Sequence, residues 1–295
     1  MAKFSDADLP PLYRAADTAS KSAQFWFVLF VGLDLGLIVT AALTSAISSD
    51  NPGLKFRLIA ACAIVTSVGL VLTIVIKSKN FEQNWYDGRA VSESIKTRSW
   101  RFMMRAEPYD IKDSAADLLF IENLKEVLNE RKRLSRELVP LGNDKHITIP
   151  MRSARNLDFE NRKAFYLEGR ILDQRDWYAA KAVTNRRCGN YFFTAIVIAQ
   201  LLILLSSFYL LVFPETQIHL ISLFSAMAAA LIAWLQLKRH QDLATSYALA
   251  AQELSFVAEI WANVEGEEDM SYLVLDAENA ISREHTLWVA RRDRV

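Results

Sequence analysis

Asp34 is the side chain whose type and position most clearly suggest chemistry, because it lies inside a long apolar stretch. Phe25 to Ile47 holds no other acidic or basic residue. Counted from Phe25 at about 1.5 Å per helical residue, Asp34 lies about 13–14 Å into a hydrocarbon core of about 30 Å. An ionised Asp there costs about 2.5–3.5 kcal/mol, so it should face protein or water, or be protonated. Asp34 is therefore a candidate for lining a cation path or for changing its protonation state.

Gln200 lies as far into the third apolar stretch of the chain as Asp34 lies into the first. The two side chains are therefore predicted to form one intramembrane polar layer. The alternative is purely structural: a neutral Asp34 hydrogen-bonds to Gln200, Thr66 or Ser67 and holds helices together. The sequence leaves both interpretations open.

The other reactive residue types show no catalytic or metal-binding spacing. The four histidines are scattered, and no P-loop, dinucleotide fingerprint or G-x-S-x-G occurs. Cys62 and Cys188 form no C-x-x-C pair and are expected to stay isolated, reduced thiols. No basic patch with interleaved aromatics is present, which argues against nucleic acid as a partner. We expect neither an enzyme nor a bound cofactor or metal.

The chain has four apolar stretches; Asp34 lies in the first and Gln200 in the third. The stretches form two pairs, 25–47 with 58–76 and 191–213 with 218–237, and each has close to 20 residues. A stretch of this length crosses a bilayer core as a helix, whereas a soluble core helix is shorter and has a polar face. The sequence predicts an all-α membrane protein with four transmembrane helices in two parallel-repeat hairpins, extended into a cytoplasmic helical bundle.

The distribution of Lys and Arg predicts the orientation of the spans. Basic residues flank one end of the spans, whereas the turn at 214–217 has none and the turn at 48–57 has only Lys55 and Arg57. By the positive-inside rule, both termini and the middle region at 77–190 are expected in the cytoplasm. The chain is therefore predicted to be a multi-pass protein of the cell inner membrane, with the lipid bilayer as its first partner.

Small residues mark the faces on which helices are expected to pack. Gly32 and Gly36 form G-x-x-x-G in the first span, a motif that lets a neighbouring helix approach closely but is also frequent by chance. The fourth span carries a row of small residues: Ser222, Ala226 and Ala230. Packing within one chain is the simpler interpretation of this row, and a subunit interface in a homo-oligomer is the other.

Polar helices are predicted to prolong the spans. The second span is expected to continue unbroken through Lys77–Ala106, and the fourth span is expected to be followed by another long polar helix, from Lys238 to about Val264. Apolar stripes on these helices should form the core of the cytoplasmic bundle, and they include four tryptophans: Trp85, Trp100, Trp177 and Trp261.

The region between the two pairs of spans is predicted to contain one more helix and a loop. Asp113 or Ser114 is the predicted cap of this helix, which is expected to reach about Leu138. Its charged residues are interpreted as a solvated face. The stretch 145–149 is either a short strand or a loop.

The two halves of the chain align with each other as an internal repeat. Residues on both sides of the spans correspond in pairs: Tyr13 with Tyr178, Trp26 with Tyr191, Tyr86 with Tyr247 and Trp100 with Trp261. Both units would enter the membrane from the same side, so the repeat is parallel, with a pseudo-axis along the membrane normal. The predicted units are 1–110 and 156–295, joined by a cytoplasmic helix and loop at 111–155.

The stretch from Leu167 to Ala182, LEGRILDQRDWYAAKA, resembles the SLATT domain. The resemblance is carried by its most specific positions: Arg170, Asp173, Gln174, Trp177 and Tyr178. A second, diverged copy is similar through residues of the first half: Tyr13, Trp85, Arg89, Ala90, Glu93, Lys96, Trp100, Pro108 and Tyr109.

SLATT domains are two-span modules of bacteria and other microbes, proposed as membrane effectors of conflict systems. The resemblance implies an oligomeric inner-membrane effector, pore-forming or membrane-perturbing, triggered from the cytoplasm in bacterial defence. A cytoplasmic sensor protein or a nucleotide signal is the implied trigger, and no catalytic residues are implied. The alternative function is a non-conducting scaffold that anchors a soluble partner through its cytoplasmic helices.

Overall fold

The computed structural model describes residues 4–132, 134, 138, 145–216 and 218–292, with side chains as far as residue 282. The described residues form ten α-helices: α1 (Pro11–Ala46), α2 (Pro52–Lys79), α3 (Phe81–Met103), α4 (Asp113–Glu130), α5 (Ile149–Arg155), α6 (Phe159–Tyr166), α7 (Asp173–Val212), α8 (Leu220–Lys238), α9 (His240–Trp261) and α10 (Glu267–Arg292). A π-helical segment, Leu167–Leu172, joins α6 to α7. Ile47 and Ile218 make an isolated antiparallel bridge, and no β-strand forms in the described part of the chain, which confirms the all-α prediction.

The chain divides into two compact units, each taking segments from both halves of the sequence. The membrane unit comprises residues 25–81 and 183–244, and the polar unit comprises the described residues of 1–24, 82–182 and 245–295. The compact units therefore cut across the sequence repeat.

The membrane unit has four helices that are long and apolar enough to cross a bilayer. The helical ranges Pro11–Ala46, Pro52–Met103, Phe159–Val212 and Leu220–Trp261 contain stretches with mean hydropathies of 2.2, 2.7, 2.5 and 2.0. At most 11% of each stretch is buried inside the chain, so the apolar side chains face outward. Such a surface is stable against lipid but not against water. The four predicted spans are confirmed, and the chain is a multi-pass membrane protein.

Two short breaks separate spans from the polar helices that follow them. The first lies where a continuous helix was predicted, so that prediction was wrong; the second separates the fourth span from the polar helix that was predicted to follow it. Asn80 has a left-handed backbone (φ 50°) and separates α2 from α3. Arg239 (φ 48°) separates α8 from α9 in the same way. Asn80 is of a residue type that often ends helices in this conformation, and it follows a last turn that carries Lys77 and Lys79, whereas Arg239 is not of such a type.

The connecting region has a shorter first helix than predicted and a second helix that was not predicted. Lys112 is the N-cap of α4 and makes no side-chain capping bond, so Asp113 is the first helical residue rather than the cap. This helix ends at Glu130, before the expected end at Leu138; residues 133 and 135–137 lie outside the described part. A further helix, α5, begins at Ile149, where a strand or loop was expected, because Thr148 accepts the Met151 N–H at its start.

The polar unit has a core of aromatic rings. Trp100 and Trp261 are 3% and 1% exposed, and the Tyr166 ring lies between them, with its centroid 5.7 Å and 5.2 Å from theirs. Trp85 is half-buried and stacks on Tyr86, whereas Trp177 is 38% exposed. Two of the four expected core tryptophans therefore lie fully inside the core.

Candidate functional site

Asp34 lies in the middle of the first span, beside a glycine of the second. Its side chain is half-buried, and a Cβ placed on Gly69 would lie 3.4 Å from its Oδ1. Among the described residues Asp34 has neither a hydrogen bond nor an ion pair. A half-exposed carboxyl group at membrane depth needs protein or water to solvate it.

The hydroxyl groups proposed to hold Asp34 are engaged elsewhere. Thr66 donates to the Cys62 carbonyl at 2.9 Å, and Ser67 donates to the Ala63 carbonyl at 2.7 Å, so both bond to their own helix. Gln200 is exposed on α7, and no hydrogen bond to Asp34 is present among the described residues. The polar layer of Asp34 and Gln200 stays a prediction, and within one chain the two side chains are not joined.

The predicted packing glycines of the first span differ from each other. A Cβ on Gly32 would lie 3.3 Å from the Trp234 ring, so Gly32 accommodates an aromatic side chain rather than a helix backbone. Gly36 has no atom within 4 Å of the corresponding position, so its surface is open. The G-x-x-x-G face is therefore only partly covered within the chain.

The small-residue row of α8 is likewise only partly covered. Ser222 is exposed and donates to the His219 carbonyl at 3.2 Å, whereas Ala226 and Ala230 are half-buried. Ala228, which is not part of the predicted row, is 6% exposed. The membrane unit thus keeps an open strip of small residues on its outer surface.

The two turns of the membrane unit are tied to each other. The His219 N–H donates to the Ala46 carbonyl at 2.8 Å, next to the bridge between Ile47 and Ile218. This contact links the end of α1 to the start of α8. The two hairpins are therefore joined by backbone hydrogen bonding at the end of the spans opposite to Asn80 and Arg239.

The motif block of the second half is built around a buried ion pair. Arg170, in the π-helical segment, donates from Nε and Nη2 to Glu278 of α10 at 2.8 and 2.7 Å. The Tyr166 hydroxyl donates to the same carboxylate at 3.0 Å. Both charged side chains are at most 1% exposed. A π-helical turn is rare and offsets the side chains by one position, which here lets Arg170 enter the core.

Burial and charge shift the ionisation of this cluster. Burial alone would lower the pKa of Arg170, but the charge and hydrogen bonds of Glu278 raise that pKa above its ordinary value. Burial and Glu278 together raise the pKa of Tyr166 well above 10. Arg170 therefore stays charged and Tyr166 stays a hydrogen-bond donor. The cluster therefore joins the motif to α10 through a charged pair and a neutral hydroxyl donor.

Sequence analysis missed Glu278, although a usable signal was present. The apolar residues Met270, Val274 and Ile281 mark the inner face of α10 at helical spacing, and Glu278 lies on that face. An acidic residue at an apolar position predicts a buried partner. Its identity could not be predicted, because the contact joins residues 108 apart in the sequence.

The remaining motif residues border a cavity of about 670 Å³ inside the polar unit. Asp173, Gln174, Trp177 and Tyr178 form one wall, and the opposite wall comes from residues of the first half, including Asp6 and Lys96. This volume lies in the range of small-molecule sites in proteins. The structure thus brings both copies of the repeat together around one space, which the sequence did not predict.

Comparison with protein-family models gives two matches that together cover nearly the whole chain. The model described as SMODS and SLOG-associating 2TM effector domain 3 matches residues 10–163, more than half of the chain. The model described as SMODS and SLOG-associating 2TM effector domain 1 matches residues 166–288. Neither the curated proteins nor the solved structures give a significant match. The two matches meet between residues 163 and 166.

Proposed function

Because the chain belongs to the SLATT family of two-transmembrane effector domains, we propose that it acts as an oligomeric membrane effector that forms a pore or otherwise perturbs the bilayer. SLATT domains generally serve in conflict and defence systems. This chain carries two such modules, and its four long apolar helices suit a membrane effector. The trigger in this proposal is a sensor protein or a nucleotide acting on the polar unit.

The observation that carries the pore proposal is the solvation of Asp34. Its carboxyl group is half-buried at membrane depth and has no hydrogen-bonding partner among the described residues. Facing lipid, such a group costs about 2.5–3.5 kcal/mol, whereas facing water inside a ring of subunits it costs far less. The open surface at Gly36 provides a face on which another subunit can pack closely. Asp34 is then a pore-lining residue that favours cations.

Orientation is part of the proposal. Lys77 and Lys79 close the last turn of α2, and Lys238 closes that of α8, whereas the turn at 214–217 carries no basic residue. By the positive-inside rule the polar unit lies in the cytoplasm, on the inner face of the cell membrane. A signal produced in the cytoplasm then reaches the polar unit directly.

Ion flux through the reconstituted protein tests this function. We expect liposomes with a high density of the wild-type chain to pass cations, and Asp34→Asn to change the cation-to-anion selectivity. Thr40→Val is the matched control, because the Thr40 hydroxyl already bonds to the Gly36 carbonyl of its own helix at 2.8 Å. Wild-type liposomes that release neither ions nor dye at any density, with and without the candidate signals, would rule out the pore.

A scaffold is the second candidate function, and α4 favours it. Leu118 is 63% exposed and Ile121 is 38% exposed on the same helix. Exposed apolar residues on a charged helix are typical of a surface that binds another protein. The two functions are separated by one pair of variants: a scaffold loses its cellular activity with Leu118→Lys and keeps it with Asp34→Asn, whereas a pore shows the opposite pattern.

A further inference from the structure

We propose that the cavity of the polar unit binds a small organic cation, held by Asp173 and the ring of Trp177. The cavity has a volume of about 670 Å³, and its walls come from the N-terminal segment, α1, α3 and the start of α7. The inference concerns binding alone and stands whether or not the spans conduct ions.

The basic residues of the walls are already neutralised by neighbouring carboxylates. Three surface pairs line the cavity: Lys21 with Asp17 at 2.6 Å, Arg89 with Glu93 at 2.9 Å, and Lys96 with Asp6 at 2.7 Å. The fourth basic residue, Arg170, is paired with Glu278 in the core. An anionic ligand would therefore have to compete with the carboxylates of the three surface pairs, which disfavours an anion.

Asp173 is the charge that these pairs leave uncompensated. It is exposed on the cavity wall, and its single recorded contact among the described residues is a long hydrogen bond of 3.4 Å from the Gln174 amide. The residues of the cavity, with Glu278 counted beside Arg170, therefore carry one excess negative charge. A cation is the ligand charge that this wall favours.

Trp177 supplies a second group that attracts cations. It lies four residues after Asp173 on α7, so the two side chains share one face of the helix. Its ring is 38% exposed, and the Lys181 ammonium lies 5.6 Å from the ring centroid, which shows that the ring accepts a cation. A carboxylate beside an exposed indole ring is a common arrangement for binding amines and quaternary ammonium groups.

The charged residues of this cavity wall occur in the first copy of the repeat and not at the corresponding positions of the second copy. Three charged wall residues, Arg89, Glu93 and Lys96, correspond in the repeat to Ala250, Leu254 and Val257. Those three residues are at most 4% exposed and fill the core. Packing of the repeat therefore does not require charges at these positions. In the second copy these positions are buried apolar residues, whereas in the first copy they are charged residues that line the cavity.

Titration calorimetry of the full chain tests the proposal. The chain is kept in a maltoside detergent, which brings no choline headgroup of its own, and is titrated with choline, spermidine, inorganic phosphate and AMP. We expect saturable binding of a cation and none of the two anions. Asp173→Asn should weaken cation binding about tenfold or more, because a charge-assisted contact is lost.

Asp176→Asn is the matched control for Asp173→Asn. Asp176 lies on the same helix, pairs with Arg175 at 2.7 Å and does not line the cavity, so its loss should change the affinity less than about twofold. Trp177→Leu should weaken binding about threefold or more through the lost cation–π contact. Equal effects of Asp173→Asn and Asp176→Asn, binding of phosphate or AMP instead of the cations, or no saturable binding of any of the four would overturn the proposal.

Discussion

Glu278 and Arg170 show how a single buried pair fixes the motif block of this protein. Both side chains are almost fully buried, and the carboxylate accepts hydrogen bonds from Arg170 and from Tyr166. Burying two charges is costly, and the pair is stable only while both members are present. The pair therefore ties the π-helical segment to α10 more firmly than any exposed ion pair of the polar unit can.

Glu278→Gln should destabilise the protein by about 3–5 kcal/mol, because it leaves the Arg170 guanidinium buried without a counter-charge. Urea unfolding followed by tryptophan fluorescence measures the free energy. Asp176→Asn, which removes an exposed partner of Arg175, should cost less than about 1 kcal/mol and serves as the control. Similar losses in the two variants would contradict the role of the buried pair.

Asp113 gives a pH-dependent contribution to stability. Its carboxylate accepts from Arg155 Nε at 2.9 Å, and this hydrogen bond lowers the pKa of Asp113 below 3.8. A group whose pKa is lowered on folding stabilises the folded state above its unfolded pKa, and the contribution is lost as the pH falls towards the folded pKa. The difference in unfolding free energy between wild type and Asp113→Asn should be constant from about pH 7 to about pH 5 and should shrink below about pH 4. A difference unchanged at about pH 2 would contradict this account.

A functionally interesting residue could be identified from the sequence when its neighbours in the chain make it unusual. Asp34 is such a residue, because an acid within an apolar stretch is visible without any tertiary contact. Glu278 and Trp234 are partners supplied by distant segments, and sequence spacing cannot pair them with Arg170 or Gly32. The cavity was missed for the same reason, since its walls come from both halves of the chain.

At the scale of helices, close packing of α1 on α3 depends on Gly88. A Cβ at this position would lie 2.9 Å from the Ser20 Cβ and 3.0 Å from the Ser20 backbone nitrogen, closer than two side chains can pack. The Ser20 hydroxyl also donates to the Trp85 carbonyl at 2.9 Å, one helical turn away. Only glycine permits both this approach and this hydrogen bond.

Gly88→Ala should lower the free energy of unfolding by about 1–3 kcal/mol, because α1 and α3 must separate to admit the methyl group. Gly36→Ala is the control within a single chain, since nothing lies within 4 Å of its Cβ position. The monomer should tolerate it or gain slightly from the better helix former. Unfolding curves of the two variants in the same detergent make the comparison, and a neutral Gly88→Ala would show that α1 and α3 do not pack in this way.

Helices were predicted well where hydropathy defines them and less well where backbone conformation does. The spans follow from apolar length alone. Asn80 and Arg239 end helices by adopting a left-handed conformation, which is selected by the folded structure rather than by a glycine or proline in the sequence. The π-helical segment at Leu167–Leu172 also has no signal in the sequence. A π-helical turn holds one residue more than an α-helical turn, and here this conformation goes together with the burial of Arg170 in the core.

At the scale of the whole molecule, the sequence divides into two repeated halves, whereas the structure divides into a membrane unit and a polar unit. The membrane unit and the polar unit each combine segments of both halves, so one module alone would lack part of each unit. The four spans and the all-α class could be predicted from the sequence. That each unit combines segments of both halves could not be predicted, because it depends on contacts between the two halves.

The most direct test of the proposed function measures the mass of the complex in nanodiscs and the ion flux of the same sample. The account predicts a closed ring of several subunits that conducts cations, with a selectivity that changes in Asp34→Asn and not in Thr40→Val. A monomer or dimer that passes no ions with or without the candidate signals, with Asp34→Asn indistinguishable from wild type, would contradict the pore.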